Sequence, residues 1–192
     1  MSFEEYVNSH VKAILDSKNL LATPIEEAIN LIAGAFNNSQ KILICGNGGS
    51  AADSQHMAAE FISAIDHTLK RKALPAIALT TDTSSITARA NDYGFDDIFS
   101  RQVEALGQEN DILVAITTSG KSKNVIEAIK KAKSRGLKVI SFTGTNGIQT
   151  VEVDIDLKVM STNTQHIQEG HILIYHYICS SVEKLIKKEF LN

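Results

Sequence analysis

Several polar side chains with helical spacing could move protons or hold a metal ion. His56 and Glu60 are four residues apart and are therefore neighbours on one face of a predicted helix. An otherwise apolar run near the end of the chain is interrupted by Gln168, Glu169, His171 and His176. Polar groups on a buried helix need partners. Imidazole, carboxylate and amide groups that converge in a crevice could hold a transition metal such as zinc, or act as acid and base without one.

Two turns of small polar residues each follow a predicted buried strand. The first turn is GNGGS, ending at Ser50, and the second is TTSGKS, from Thr117 to Ser122. Hydroxyl groups and the free N–H groups of a helix start bind phosphate well. Because ligands of parallel sheets lie beyond the carboxyl ends of the strands, both turns are expected to face one crevice. The sequence predicts a phosphorylated or polyhydroxy ligand; a helix cap with polar neighbours is the alternative.

The segment Gly120-Lys121-Ser122 matches only the tail of a nucleotide-binding P-loop. The full pattern requires a glycine five residues before Gly120, where the chain has Ala115 inside a predicted strand. The loop is too short to wrap a triphosphate, and no aspartate after a later strand is placed as a magnesium ligand. An ATPase is therefore disfavoured.

Alternating strands and helices must position these residues. Apolar runs predict strands at 41–45, 75–79, 111–116, 137–143 and 155–160. Helical patterns are expected at 51–61, 86–90 and 99–106, at 123–134 before Gly136, and from Thr164 to Phe190. Strands of this kind alternating with helices predict an α/β fold, a doubly wound parallel five-stranded sheet with helices on both faces.

Two helices are predicted ahead of the first strand. Ser2 and Glu5 form a capping box for the first, and Thr23, Pro24 and Glu26 mark the start of the second. The chain is interpreted as a single domain, residues 1–192, with leading helices in 1–38 and an α/β body in 41–192. The apolar stripes of the leading helices need cover, from the α/β body or from a partner subunit.

Composition excludes several functional classes. The 192 residues carry a formal net charge of -3, which argues against a dedicated nucleic-acid binder. No segment approaches the roughly 20 apolar residues of a membrane span, and the start MSFEEYVNSH lacks a signal-peptide pattern, so a cytoplasmic location is expected. Cys45 and Cys179 are expected to be reduced core residues.

Taken together, five motifs resemble one known family. GNGGSAADSQHMAAEF, PAIALTTD, ANDYGF, ITTSGKS and IQEGHILIYHYI are similar to the phosphoheptose isomerases of the sugar isomerase (SIS) domain family, over nearly the whole chain. The resemblance implies a cytoplasmic homotetramer with one zinc ion per subunit. It also implies conversion of D-sedoheptulose 7-phosphate to D-glycero-D-manno-heptose 7-phosphate through an enediolate, the first step towards the ADP-heptose of the lipopolysaccharide core.

The same resemblance implies roles for individual positions. The catalytic residues would be Glu60 and His176, and the metal ligands would be His56, Glu60, Gln168 and His176. Substrate contacts would come from Asn47, Gly48, Gly49, Ser50, Glu60, Asn91, Asp92, Thr117, Thr118, Ser119, Ser122 and Gln168. The chain departs from the family pattern in having Thr117 where serine is frequent and His166 where arginine is frequent.

Helix geometry raises a difficulty for this metal set. Gln168 and His176 would be roughly 12 Å and about 80° apart on a straight helix, so a single ion would not easily reach both. We expect active sites at subunit interfaces, with at least one ligand from a neighbour, or a Gln168 that binds mainly substrate.

Two other functions remain open. A non-catalytic SIS-domain adaptor that binds the replication initiator DnaA would share the fold and the tetramer, although such adaptors lack the full His/Glu, Gln and His set. An isomerase for a shorter sugar phosphate, such as a ketohexose phosphate, would share the chemistry. Substrate length cannot be read from the sequence.

Overall fold

A parallel five-stranded sheet forms the centre of the protein, and the computed structural model describes residues 1–68 and 70–186. The strands lie in the order β2-β1-β3-β4-β5, and every neighbouring pair is parallel. Their bounds are β1 Ile42–Gly46, β2 Ala76–Ala78, β3 Ile112–Thr117, β4 Lys138–Gly144 and β5 Ile155–Val159. The strand order reverses direction between β1 and β3, which is where such sheets bind ligands.

Helices cover both faces of this sheet. They are α1 Phe3–Asn37, α2 Gly49–Ile62, α3 Thr83–Tyr93, α4 Ser100–Leu106, α5 Lys123–Ser134 and α6 Thr164–Leu185, with a short 3-10 turn at Phe95–Asp97. Ile42 and Ile44 of β1 pack with α1, α2 and α6, whereas Leu43 and Cys45 pack with α4 and α5. Alternate side chains of β1 therefore pack into two hydrophobic cores, one on each face of the sheet. The predicted doubly wound α/β fold is confirmed.

The predicted elements agree closely with the observed ones. Each strand prediction is within two residues of the observed bounds, and α5 spans 123–134 as expected, with Gly136 at φ 75° after its end. The final helix ends at Leu185. The part of that prediction from 187 to 190 lies outside the described residues.

One continuous helix, α1, replaces the two predicted leading helices. The capping box of Ser2 and Glu5 is present at its start, but Pro24 lies inside the helix and not at a second start. An interior proline removes one backbone hydrogen bond and costs about 3 kcal/mol. Buried residues on both sides of it, including Leu21, Ala28 and Ile32, pack on the body of the protein and outweigh that cost.

The two halves of α1 differ in burial. Ile29, Ile32 and Phe36 belong to the core, whereas the apolar side chains of the first half, Phe3, Val7, Val11 and Leu15, are exposed. The α/β body therefore covers only the second half of the apolar stripe.

Two sequence expectations on composition can be compared with the structure. Cys45 and Cys179 are free and buried, as expected. Burial raises the pKa of the Cys45 thiol to about 12, so it stays protonated at neutral pH. Among the described residues, we find no helix with both the length and the apolar character needed to cross a membrane.

Candidate active site

Three of the predicted metal ligands lie together between α2 and α6. His56 Nε2 is 3.0 Å from Glu60 Oε1, and the rings of His56 and His176 are 5.0 Å apart between centroids. One ligand atom of each of the three residues lies within 4.8 Å of the others. We call His56, Glu60 and His176 the α2–α6 cluster. Two imidazoles and a carboxylate form a donor set typical of zinc, and they can also exchange protons.

A buried tyrosine fixes the orientation of His56. The Tyr175 hydroxyl lies 2.8 Å from His56 Nδ1, so both ring nitrogens of His56 have partners, Tyr175 on one side and Glu60 on the other. Burial and the nearby Asp53 carboxylate raise the pKa of Tyr175, which keeps its hydroxyl neutral. Sequence reasoning missed Tyr175, although it directly precedes His176.

Asp53 is a second residue that sequence reasoning missed. The residue is 3% exposed, and its Oδ2 atom has no hydrogen-bond partner among the described residues. Burial raises the pKa of this carboxyl to about 6, and the neighbouring His56 opposes part of the rise. The spacing of three residues before His56, on the same helical face, was the available signal.

A buried ion pair holds the end of α2 that carries Glu60. Arg71 donates from Nε to Glu183 Oε1 at 2.7 Å, and from its two terminal nitrogens to the carbonyl oxygens of Glu60 and Phe61 at 2.8 Å each. Both side chains of the pair are buried. The guanidinium therefore satisfies carbonyls that the helix end leaves free, and it stabilises the backbone position of Glu60.

The glycine turn before α2 lies against the start of α6. Gly48 has φ 56°, and a Cβ on Gly49 would lie 2.1 Å from Gln168 Nε2. The amide of Gln168 thus occupies the space beside Gly49. Its Cα is eight residues, about 12 Å, from that of His176 along α6. The structure therefore brings His56, Glu60 and His176 together and places Gln168 at the turn.

The two polar turns lie at the carboxyl edge of the sheet. The side-chain amides of Asn47 and Asn124 donate to each other at 2.8 Å in both directions, which links the turn after β1 to the start of α5. Asn124 was not identified from the sequence. The contact places the first turn beside the start of α5, the helix that follows the second turn; that the two turns face one crevice stays a prediction.

Hydroxyl groups line the turn after β3. Thr117 Oγ1 is 3.1 Å from Ser122 Oγ, and Ser119 Oγ accepts the Lys121 N–H at 3.2 Å. Gly120 has φ 68°, and a Cβ there would lie 2.0 Å from the Gly147 carbonyl oxygen, so only glycine fits. Beside the turn is a cleft of about 200 Å³, here called the hydroxyl cleft, lined by Thr118, Ser119, Lys121, Thr145, Asn146, Ser161, Thr162, Thr164 and Ile167.

The free N–H groups at the start of α5 add to this polar surface. Ser122 is the residue before α5 and makes no side-chain cap for it. Val125 N–H donates to Asn124 Oδ1 at 3.0 Å, so the N–H groups that precede it in the first turn are the ones available to an anion. The residues of the hydroxyl cleft from 145 to 164 were not identified from the sequence, because they come from the segments after β4 and β5.

Asn91 and Asp92 lie apart from the turns along the chain, at the end of α3. Both are exposed, and the Asn91 amide donates to Asp92 Oδ1 at 2.8 Å. Their predicted contact with substrate stays a prediction. Ser50, another predicted contact residue, is buried in the first turn of α2.

Comparison with known proteins identifies close relatives. The pattern of the SIS domain family matches residues 3–144. The phosphoheptose isomerase of Campylobacter concisus is 50% identical over 182 residues, 94% of this chain and 95% of that protein. The Helicobacter pylori enzyme of the same name is 46% identical over 177 residues, 92% of this chain and 91% of its own.

Two solved structures have the same fold at high similarity. A phosphoheptose isomerase from Francisella tularensis superposes with a TM-score of 0.89 at 40% identity, covering 94% of this chain and 96% of that one. A phosphoheptose isomerase from Neisseria gonorrhoeae gives 0.85 at 43% identity, with 95% and 100% coverage. The similarity thus extends over nearly the full length of each relative.

Proposed function

This chain belongs to the phosphoheptose isomerases of the SIS domain family, and we propose that it converts D-sedoheptulose 7-phosphate to D-glycero-D-manno-heptose 7-phosphate. It is therefore an isomerase that converts a ketose phosphate into an aldose phosphate. Beyond the family membership, the observation that carries the proposal is the convergence of Glu60 and His176 with His56, from helices far apart in sequence. The adaptor alternative has no support among the relatives described above.

The hydroxyl turn is the proposed site for the phosphate end of the substrate. Thr117, Ser119 and Ser122 offer hydroxyl groups, and the start of α5 offers free N–H groups. Lys121 adds one positive charge at the rim of the hydroxyl cleft. Anchoring the phosphate removes freedom from the sugar before reaction, which lowers the barrier of the chemical step. Asn47, Gly48 and Gly49 are proposed to contact the sugar hydroxyls.

Proton transfer is assigned to Glu60 and His176. The Glu60 carboxylate takes a proton from C1 of the ketose and returns it to C2 of the enediolate, which leaves an aldose. His176 exchanges protons with the oxygens on C1 and C2. Carboxylate and imidazole groups perform such transfers when they lie within hydrogen-bond reach of the reacting atoms. Tyr175 holds His56, and His56 in turn holds Glu60 in place.

The α2–α6 cluster suits a zinc ion. Its three ligand atoms lie within 4.8 Å of one another and comprise two imidazole nitrogens and one carboxylate oxygen. When bound, zinc supplies positive charge beside the oxygens on which negative charge develops. Gln168 is proposed to bind substrate or to reach the metal of a neighbouring subunit.

Distances along the helices support active sites shared between subunits. Glu60 is eleven residues, about 16 Å, from the start of α2 at Gly49, and His176 is twelve residues, about 18 Å, beyond Thr164 of the hydroxyl cleft. An extended ketose phosphate spans about 10 Å from C1 to phosphorus, at about 1.2 Å per bond. We therefore propose that the hydroxyl turn of one chain and the α2–α6 cluster of a second chain bind the two ends of one substrate molecule.

The exposed half of α1 is the proposed contact surface for that second chain. Phe3, Val7, Val11 and Leu15 form its apolar stripe. Beside the stripe is an apolar groove of about 410 Å³, whose lining includes Ile14, Leu15, Leu21, Ile25, Leu173 and Tyr177. Exposed apolar surfaces of this kind mark protein contacts. We infer a homotetramer that acts in the cytoplasm and supplies heptose for the ADP-heptose of lipopolysaccharide core.

A turnover assay tests the proposal. The purified protein is incubated with sedoheptulose 7-phosphate, with zinc or with a chelator, and the aldose phosphate is detected by NMR. We expect product with zinc and a large loss of rate with the chelator. A panel including fructose 6-phosphate tests the shorter-substrate alternative. Absence of turnover on every ketose phosphate, in protein whose fold and metal content are intact, would refute the isomerase assignment.

A further inference from the structure

We propose that His10, His166 and Glu169 form a second site for a divalent transition-metal ion such as Zn²⁺, separate from the α2–α6 cluster. His10 lies on α1, and His166 and Glu169 lie three residues apart on the first turns of α6. We call these three residues the α1–α6 cluster. Its donor set, two imidazoles and one carboxylate, is the same as that of the α2–α6 cluster.

The distances between the donor atoms suit a metal ion. Glu169 Oε2 is 2.9 Å from His10 Nδ1 and 3.3 Å from His166 Nδ1, and the three atoms of the set lie within 4.8 Å of one another. Two ligand atoms at a tetrahedral angle on zinc, with bonds of about 2.0–2.2 Å, are roughly 3.3–3.6 Å apart. Small side-chain movements therefore bring all three donors onto one ion.

Hydrogen bonding does not account fully for this arrangement. His10 Nδ1 is close to the Glu169 carboxylate, yet it is a buried atom without a properly aligned hydrogen bond. Leaving a buried polar atom unsatisfied costs free energy. A metal bond to His10 Nδ1 and His166 Nδ1 would satisfy both atoms. The buried Nε2 of His166 has no partner among the described residues, and it would carry the ring proton.

The surroundings hold the ligands in position and leave a path for an ion. Tyr6 donates its hydroxyl to Glu169 Oε1 at 2.9 Å, and its ring packs on His166 at 4.6 Å between centroids. Such contacts behind the ligands orient them for a metal. The side chain of His166 is 1% exposed, whereas those of His10 and Glu169 are 30% and 42% exposed. An ion can therefore enter from the side of His10.

A metal at this position would have a structural role. The first three turns of α1 bury little of their own surface, and the α1–α6 cluster joins them to α6. A ligand that binds only the folded state raises its stability by RT ln(1 + [L]/Kd), so the gain grows with the concentration of free metal. The ion would therefore fix the exposed half of α1 to the body of the protein, independently of the isomerase reaction.

Metal stoichiometry in a variant without the α2–α6 cluster tests the proposal. The full-length double variant His56→Ala/Glu60→Gln is stripped with a chelator, dialysed against Zn²⁺ and assayed for metal per chain. We expect one zinc per chain, and none after His10→Ala or Glu169→Gln is added. His67→Ala is the matched control, because His67 is an exposed histidine outside both clusters, and we expect it to keep the zinc.

Two further readouts make the test decisive. Co²⁺ in the double variant should give the visible absorption of a tetrahedral ion, and this absorption should disappear with His10→Ala. Zn²⁺ should raise the melting temperature of the double variant by several degrees but not that of its His10→Ala derivative, whose fold is checked by circular dichroism. A double variant that binds no zinc, or zinc that survives both His10→Ala and Glu169→Gln, would overturn the proposal.

Discussion

The α2–α6 cluster and the α1–α6 cluster contain the same three side-chain types in different surroundings. Each has two histidines and a glutamate, and each has a tyrosine hydroxyl within hydrogen-bond distance of one member. Of the two, only the α2–α6 cluster uses the helix that begins at the glycine turn. It lies beside the buried Asp53 carboxyl and the buried Arg71–Glu183 ion pair. The α1–α6 cluster instead joins the mostly exposed first half of α1 to the start of α6. A donor set alone therefore does not define a catalytic site; its supporting elements do.

The largest expected effect is on catalysis, which we assign to the α2–α6 cluster. We expect Glu60→Gln to lower kcat by about 10²–10⁴-fold, because the amide cannot accept the proton from C1. The rate of aldose phosphate formation measures it, and thermal unfolding checks that the fold is kept. Glu127→Gln is the control, since Glu127 pairs with Lys130 on the surface of α5. Full activity in Glu60→Gln would remove Glu60 from the mechanism.

The next effect concerns the rigidity behind the α2–α6 cluster. Arg71→Met removes one member of a buried ion pair and leaves the Glu183 carboxylate without its partner. We expect a loss of about 3–5 kcal/mol in the free energy of unfolding, measured with urea. Lys130→Met breaks a pair whose lysine is 52% exposed and should cost below about 1 kcal/mol. Equal losses in the two variants would contradict the view that the Arg71–Glu183 pair anchors α2.

A pH experiment tests the buried carboxyl beside the α2–α6 cluster. Burial raises the pKa of Asp53 from 3.8 to about 6, so the folded state binds this proton more tightly than the unfolded state. The contribution of Asp53 to stability is thus full below about pH 4 and is lost as the pH rises through 6. With a chelator present, we expect Asp53→Asn to be more stable than the parent at pH 8 by up to about 3 kcal/mol.

The advantage of Asp53→Asn should shrink as the pH is lowered and vanish near pH 4. Urea titrations of the parent and the variant at several pH values measure this trend. A stability difference between them that is constant from pH 4 to pH 8 would mean that Asp53 does not titrate in this range.

The smallest expected effects come from removing the hydroxyl groups of the two tyrosines, one beside each cluster. Tyr175→Phe removes a buried hydroxyl from His56, and we expect a loss of about 1 kcal/mol in stability and about 10–100-fold weaker zinc binding at the α2–α6 cluster. Tyr6→Phe removes a hydroxyl that is only half-buried, and its effect on stability should be much smaller. Zinc titration and urea unfolding of both variants measure the contrast. A larger effect at Tyr6 would reverse the order of rigidity proposed for the two clusters.

Local signals made one cluster predictable and left the other hidden. His56 and Glu60 are four residues apart and follow a recognisable turn, so spacing and resemblance both indicated them. The α1–α6 cluster depends on the contact of His10 with residues more than 150 positions later, and residue spacing in the sequence does not reveal such a contact. Asp53 and Tyr175 were missed for a related reason, since their importance comes from burial against His56.

The strands and the fold class were predictable because each strand is a continuous apolar run between turn residues. The predicted break at Thr23 and Pro24 rested on capping residues that are strong signals in isolation. Packing of Leu21 and Ala28 on either side of the proline decided the outcome in the folded protein. Tertiary contacts, which a local pattern does not contain, overrode the local preference.

The unbroken course of α1 through Pro24 also limits how two copies of the protein can join. Exchange of an arm between protomers requires a hinge at which the arm can open. The 35 residues of α1 form one rod about 52 Å long, and its second half is built into the core of its own chain. In the proposed tetramer, copies should therefore meet by contact of preformed surfaces and not by exchange of α1.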